Sequence, residues 1–259
     1  MKIHTHINLF QSISTSIILV LVLTIFALPT FAKCSDPAAR GVIWIGCDKQ
    51  NAALQGVDLR DAILTKSNFT GADLSNARLE GSDLVLAQLG NANLQMARLS
   101  NARMTSVNLS GSNLNHAILD GVNMDRALLD NANLSFSQIR AASFYQATMN
   151  NIDLHNSILT GSQFNQAIMA SANIQHSDLS HAEFIGANLE GANISEAILI
   201  KCNLEEASLV GANLNNSDLT QARLVNATIS QINIENVKFD RTIWIDRHRC
   251  LSSSIGTCL

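Results

Sequence analysis

From Leu54 to Trp244 every fifth residue is Leu, Ile, Met, Phe or Trp, 39 positions in succession without an insertion. Two residues before each sits a small or β-branched residue, as at Ala72, Ala92, Ser112, Ala132, Ile152, Ala172, Ala192, Ala212 and Ile232. No regular element buries such a column. On an α-helix five residues advance the chain by about 500°, so successive leucines land about 140° apart and spiral round the rod. On a flat strand an odd step sends alternate leucines to opposite faces. The remaining solution is a chain that turns the same way at every fifth residue, so that four sides close a square coil of 20 residues. The large residue (position i) and the small one (position i−2) then point inward, alternating in size to fill a narrow interior. Positions i−1, i+1 and i+2 face water.

Three further patterns agree. Position i+2 is Gly or Asn in 18 of the 39 repeats, Gly56, Gly71, Asn76, Gly81, Asn91 and Gly111 among them. These residues most easily accept a turn with positive φ. No proline follows Pro37, as stacked coils need their N–H groups for pairing. Every fourth i−1 position isolates one column: Asp73, Asn93, Asn113, Asn133, Asp153, Asn173, Asn193, Asn213, Asn233. Such a column predicts a side-chain amide ladder between coils. At a strand-pairing spacing of ~4.8 Å the repeats make nearly ten coils and a rod roughly 47 Å long.

The motif A-(D/N)-L-x-x, seen as Ala72-Asp73-Leu74, Ala92-Asn93-Leu94 and Ala187-Asn188-Leu189, resembles the pentapeptide repeat family. The resemblance spans about three quarters of the chain. It implies an all-β fold, a right-handed quadrilateral parallel β-helix, here of about ten coils with short disulfide-closed caps. The handedness comes from the resemblance, because spacing alone does not fix it. Some members of the family resemble B-form DNA in shape and charge, bind type II topoisomerase and protect it from quinolones.

Residues 1–32 stand outside the repeat. Lys2 leads into a polar stretch, then an apolar run from Ile17 to Leu28, then Thr30-Phe31-Ala32. That run is short for a membrane span and suits a signal peptide cleaved after Ala32; an uncleaved segment would be the only attachment to a membrane. The organisation expected is a signal peptide over 1–32, an N-terminal cap over 33–51, the β-helix over 52–246 and a C-terminal cap over 247–259. Four of the five cysteines flank the repeat. The rod keeps the two ends far beyond the ~7 Å that a disulfide tolerates, so the expected bridges are Cys34–Cys47 and Cys250–Cys258, which imply an oxidising compartment. Closing loops of this size stabilises by roughly 2–3 kcal/mol each on the chain-entropy model. Cys202, at an i−2 position, reads as a small buried hydrophobe in place of Ala. Trp44 and Trp244, the only tryptophans, serve as plugs over the terminal coils. Lys49 breaks the frame and predicts an irregular first coil. Residues 35–40 suit one helical turn with Asp36 as N-cap and Pro37 at N1.

For chemistry the chain offers little. The interior columns are filled, and an insertion-free repeat supplies no loop from which to build a pocket. No catalytic set, cofactor site or metal site is expected. His155 and His176, on adjacent coils, are the nearest approach to a metal pair and lack further ligands. Charge is uneven: residues 52–149 hold 7 basic and 8 acidic side chains, residues 150–246 hold 4 and 11. The acidic half, with Glu183, Glu190, Glu205 and Glu206, suits docking to a basic partner and argues against binding nucleic acid. A second candidate surface is apolar, with Ile118, Ile158, Ile198 and Ile200 pointing outward and Phe136 and Tyr145 also outward. Arg78 and Arg98 share a column, with Arg103 at the next corner.

The function expected is that of an exported, non-enzymatic interaction or scaffold protein, periplasmic, secreted or lumenal. It would act as a monomer with polar ends (Arg247, His248, Arg249) and present its outer faces to a protein or surface polymer. The alternatives are topoisomerase binding by DNA mimicry, if the chain is not exported, or a weak metal-binding or enzyme-accessory role.

Overall fold

A computed structural model describes residues 33–259; the expected signal segment lies outside the described residues. Parallel bridges join each i−1 residue to the residue twenty places on, from Ile43↔Ile63 to Arg223↔Ile243, without a change of register. Each side of the square contributes a single bridging residue, because the chain turns again before a continuous strand can form. At every fifth residue from Gly41 to Arg241 φ is positive. The corner therefore does not depend on Gly or Asn: Leu86, Met96, Phe136 and Glu206 adopt it too.

The main-chain donors of one repeat are fully assigned. Leu74 N–H donates to the Asn93 carbonyl (2.7 Å), Asp73 N–H to Ala52 (3.0 Å) and Asn76 N–H to Gln95 (2.9 Å), all between coils. Ala77 N–H closes the turn on Leu74 (3.0 Å). The remaining donor, Ser75 N–H, is taken by Asp73 Oδ1 (3.1 Å). That last bond recurs at Asn93, Asn113, Asn133 and Asp153, and it explains the Asp/Asn in the motif as a local Asx bond at the corner. The predicted amide ladder is present at four steps only, such as Asn93 Nδ2 to Asp73 Oδ1 (3.1 Å) and Asn213 Nδ2 to Asn193 Oδ1 (3.2 Å). The side-chain oxygen is committed first to its own corner.

Inside, the i and i−2 columns make one continuous core. Phe144, Phe164 and Phe184 stack face to face, with centroids 4.9 Å apart and planes within 8°. Apart from Ser217, serines at i−2 bury their hydroxyls by donating to the carbonyl of an inward residue, as Ser157 does to Leu134 (2.8 Å) and Ser177 to Leu154 (2.7 Å). Cys202 is buried and takes the same role, its thiol donating to the Leu179 carbonyl (2.8 Å). It stands in for Ser as much as for Ala.

Both ends correct details of the sequence reading. Lys49 does not break the frame: its N–H pairs with Asn68 (2.7 Å) like any inward residue. Its side chain leaves the core, crossing the Trp44 ring at 3.9 Å to donate to the Cys34 carbonyl (2.7 Å). Residues 35–40 form turns and bends with no helical turn; Asp36 instead offers its carbonyl to Trp44 Nε1 (3.2 Å). Trp44 is buried against Phe69, and half-buried Trp244 meets Phe239 edge-on at 5.0 Å. Disulfides join Cys34 to Cys47 and Cys250 to Cys258. After Trp244 the chain reverses and pairs antiparallel with the last coil, Ile243↔Arg249 and Lys238↔Ile255.

Candidate interaction surfaces

With the interior filled by its own side chains, contacts with other molecules fall to the four walls and two ends. The isoleucines singled out from the sequence share one wall but not one patch. Ile118, Ile158 and Ile198 are separated in their column by Gln138 and Asp178, and of the three only Ile198 is exposed. Ile200, two residues on, is half-buried.

The acidic residues likewise divide. Glu183, Glu205 and Glu206 belong to one wall and its corner, while Glu190 lies on the next. Glu205 is neutralised by Arg223 (2.9 Å), which holds its carboxyl below the ordinary range. Glu183 accepts from Asn165 Nδ2 (2.9 Å). Glu190 and Glu206 are exposed. The basic column is also partly spent: Arg98 pairs with Glu80 (2.7 Å) and Arg103 with Asp83 (2.8 Å).

A third surface was not assembled from the sequence. Met96, His116 and Phe136 occupy successive corners of one edge at steps of 20 residues, all with positive φ. Phe136 is 45% exposed and Met96 50%. His116 stacks on Phe136 with centroids 5.1 Å apart, and His155 meets the other side edge-on at 4.9 Å. The signal was in the 20-residue spacing, which reading the histidines as a metal pair obscured. His155 Nδ1 is bound to Asp153 (2.7 Å) and His176 Nδ1 lies 3.3 Å from Glu196, so each histidine faces its own carboxylate.

The C-terminal end is less polar than Arg247, His248 and Arg249 suggest. Leu251, Ile255 and Leu259 are exposed by 65%, 58% and 67%. The reversed segment spends its main chain on the last coil, which turns these side chains outward. Among the described residues no helix is long and apolar enough to cross a membrane.

A family model described as pentapeptide repeats matches in 8 copies between residues 50 and 241. The chain belongs to the pentapeptide repeat family. Members form right-handed quadrilateral β-helices, which is the fold of this chain, and they are generally non-enzymatic structural or interaction proteins. Among solved structures the chain is similar to HetL, a pentapeptide repeat protein involved in heterocyst differentiation regulation from the cyanobacterium Nostoc sp. strain PCC 7120. Identity is 25% over 74% of this chain and 91% of that one, with a TM-score of 0.34. It is also similar to AT2G44920 from the Arabidopsis thaliana thylakoid lumen, at 30% identity over 35% of this chain and 63% of that one (TM-score 0.35). A trypsin-treated variant of QnrB1, a plasmid-mediated fluoroquinolone resistance protein, matches at 20% identity over 63% and 82% of the two chains (TM-score 0.40). Comparison with curated proteins returned no match.

Proposed function

We propose that this protein is an exported, monomeric interaction module that holds a partner protein or surface polymer against the edge carrying Phe136. The observation behind this reading is the exposed Phe136 ring clasped between His116 and His155. A phenylalanine at a left-handed corner costs roughly 1 kcal/mol or more relative to glycine, and an exposed aromatic gains little from the fold. A rigid ring flanked by imidazoles is an apolar anchor with hydrogen-bonding groups beside it. The acidic wall of Glu183, Glu205 and Glu206, with Glu190 beside it, and the isoleucines Ile118, Ile158, Ile198 and Ile200 would add secondary contacts along the rod.

Export is supported by the hydrophobic run Ile17–Leu28 and by a disulfide at each cap. A reporter fused after Ala32 tests it: activity confined to the cytosol would overturn export and restore topoisomerase binding as the reading to pursue. For the surface, immobilised protein should retain a specific partner from an extracytoplasmic extract. Phe136→Ala should release that partner while melting like the parent; undiminished capture would remove the Phe136 edge from the interface.

A further inference from the structure

The C-terminal cap contains a group that partner binding does not use. Nε2 of His248 and the sulfurs of Cys250 and Cys258 lie within 4.8 Å of one another. The two sulfurs form a disulfide but differ in access: Cys250 is 2% exposed, whereas Cys258 lies half-buried at the rim. His248 Nε2 stands 2.9 Å from Cys258 Sγ. The other ring nitrogen, Nδ1, is bound by the Asp246 carboxylate. Carboxylate, imidazole and accessible sulfur thus follow one another in contact, and the hydrogen bond from His248 holds Asp246 below the ordinary carboxylate range.

The N-terminal cap provides the contrast. Cys34–Cys47 also joins an exposed to a buried cysteine. Lys49 there donates to the Cys34 carbonyl, not to sulfur. Closing a cap therefore requires no imidazole. At the C-terminal end the main chain already holds residues 248 and 250, through Trp244 N–H to the His248 carbonyl (2.8 Å) and Cys250 N–H to Thr242 (2.9 Å). The imidazole is not needed to hold the main chain, and its Nε2 faces the sulfur.

We infer that Cys250–Cys258 is a thiol–disulfide exchange site, in which Cys258 reacts with an external thiol or disulfide and Asp246 and His248 are positioning residues that favour its thiolate. In the reductive direction an external thiolate attacks Cys258 Sγ. A mixed disulfide forms, the Cys250–Cys258 bond breaks, and Cys250 leaves with the electron pair and takes a proton from water. A second external thiolate attacks the external sulfur of the mixed disulfide, releasing Cys258 as a thiolate against His248 Nε2. Two external thiols become one disulfide and the cap becomes a dithiol. In reverse, Cys258 attacks an external disulfide and Cys250 resolves the mixed species.

An adjacent imidazolium favours thiolate both as nucleophile and as leaving group. The other charges around the site are consistent. Arg247 and Arg249 flank His248 and are exposed. Lys238, paired through its main chain with Ile255, is occupied by Asp218 at 3.4 Å. The Leu259 main-chain oxygen takes the Leu251 N–H (2.8 Å). Asp246, on the far side of the ring, is the acidic group in contact with the imidazole.

The test is alkylation of the fully reduced, folded chain with iodoacetamide, read at each cysteine by mass spectrometry from about pH 5 to about pH 10. Cys34 is the internal reference. Cys258 should titrate at least about one pH unit below Cys34 and react about tenfold faster near neutrality. His248→Gln should bring Cys258 to the Cys34 profile, and Asp246→Asn should move it part of the way, with Cys34 unchanged in both. In the oxidised protein, glutathione should open Cys250–Cys258 before Cys34–Cys47. A shared profile for Cys258 and Cys34, or a Cys258 profile indifferent to His248→Gln, would overturn the proposal. Partner capture through Phe136 plays no part in these readouts, so either reading can fail alone.

Discussion

At the scale of the residue, the inward hydroxyls show what a solid core tolerates. Ser157 and Ser217 occupy equivalent i−2 positions and both are buried, yet Ser157 donates to Leu134 while the Ser217 hydroxyl has no partner. A satisfied buried hydrogen bond contributes about 1 kcal/mol, whereas an unsatisfied group costs about 1–3 kcal/mol. Ser157→Ala should lower unfolding free energy by about 1 kcal/mol and Ser217→Ala should raise it by a similar amount; denaturant titration of the two variants reads the opposite signs directly. Outer carboxylates make a second prediction at this scale. Asp58 is held below its ordinary range by Arg60, Asp73 by Gln55, Glu205 by Arg223 and Asp246 by His248. A carboxyl whose folded pKa is depressed adds stability above its unfolded pKa, near 4, and loses it as pH falls through the folded value. The melting temperature should be level from about pH 7 to about pH 5 and decline below about pH 4. A decline that began near neutrality would refute this assignment to the carboxylates. Asp246 is exposed and the other three only half-buried, so solvent screening should keep the decline shallow.

At the scale of the five-residue element, the inward columns were legible because burial leaves no choice. A large residue at i and a small one at i−2 satisfy only one winding, and the register of twenty followed from four sides. Leu134 illustrates the consequence: it is fully buried at mid-rod, so Leu134→Asp would place an unpaired charge in a dry core. Circular dichroism should show loss of the folded state in that variant; an unchanged melt would refute the inward assignment. The outer positions were less legible, since several bonding schemes fit the same residues. The Asp73–Asn233 column predicted a ladder, but a nearer donor, the N–H two residues on, competes for each oxygen. The corners misled in the opposite sense. Gly and Asn marked many of them, yet Phe136 and Leu86 adopt positive φ as well, because three inter-coil hydrogen bonds per repeat outweigh the local preference. For that reason the Met96–His116–Phe136 edge was hidden: a propensity rule flags the glycines and passes over the aromatic.

At the scale of the molecule, a stack of coils has no intrinsic end. Each terminal coil exposes unpaired main-chain groups and an open apolar interior, a template for another copy. Trp44 and Cys34–Cys47 close one end. At the other, the chain reverses after Trp244, and Phe239 N–H to Ser254 (2.9 Å) and Gly256 N–H to Val237 (2.9 Å) consume edge groups that a further parallel coil would have used. The antiparallel direction is what stops the stack, since a following coil cannot continue the register of twenty. Removing residues 247–259 should therefore leave the repeat folded but restore a parallel edge beside an uncovered Phe239. Sedimentation velocity at micromolar concentration should show the full chain as a monomer and the truncated chain as concentration-dependent, end-to-end oligomers. The exposed Leu251, Ile255 and Leu259 make this comparison discriminating. If the intact chain dimerises and Leu251→Lys abolishes the dimer, those side chains are the interface and the cap joins copies. If the truncated chain alone associates, pairing of the edge is what keeps copies apart.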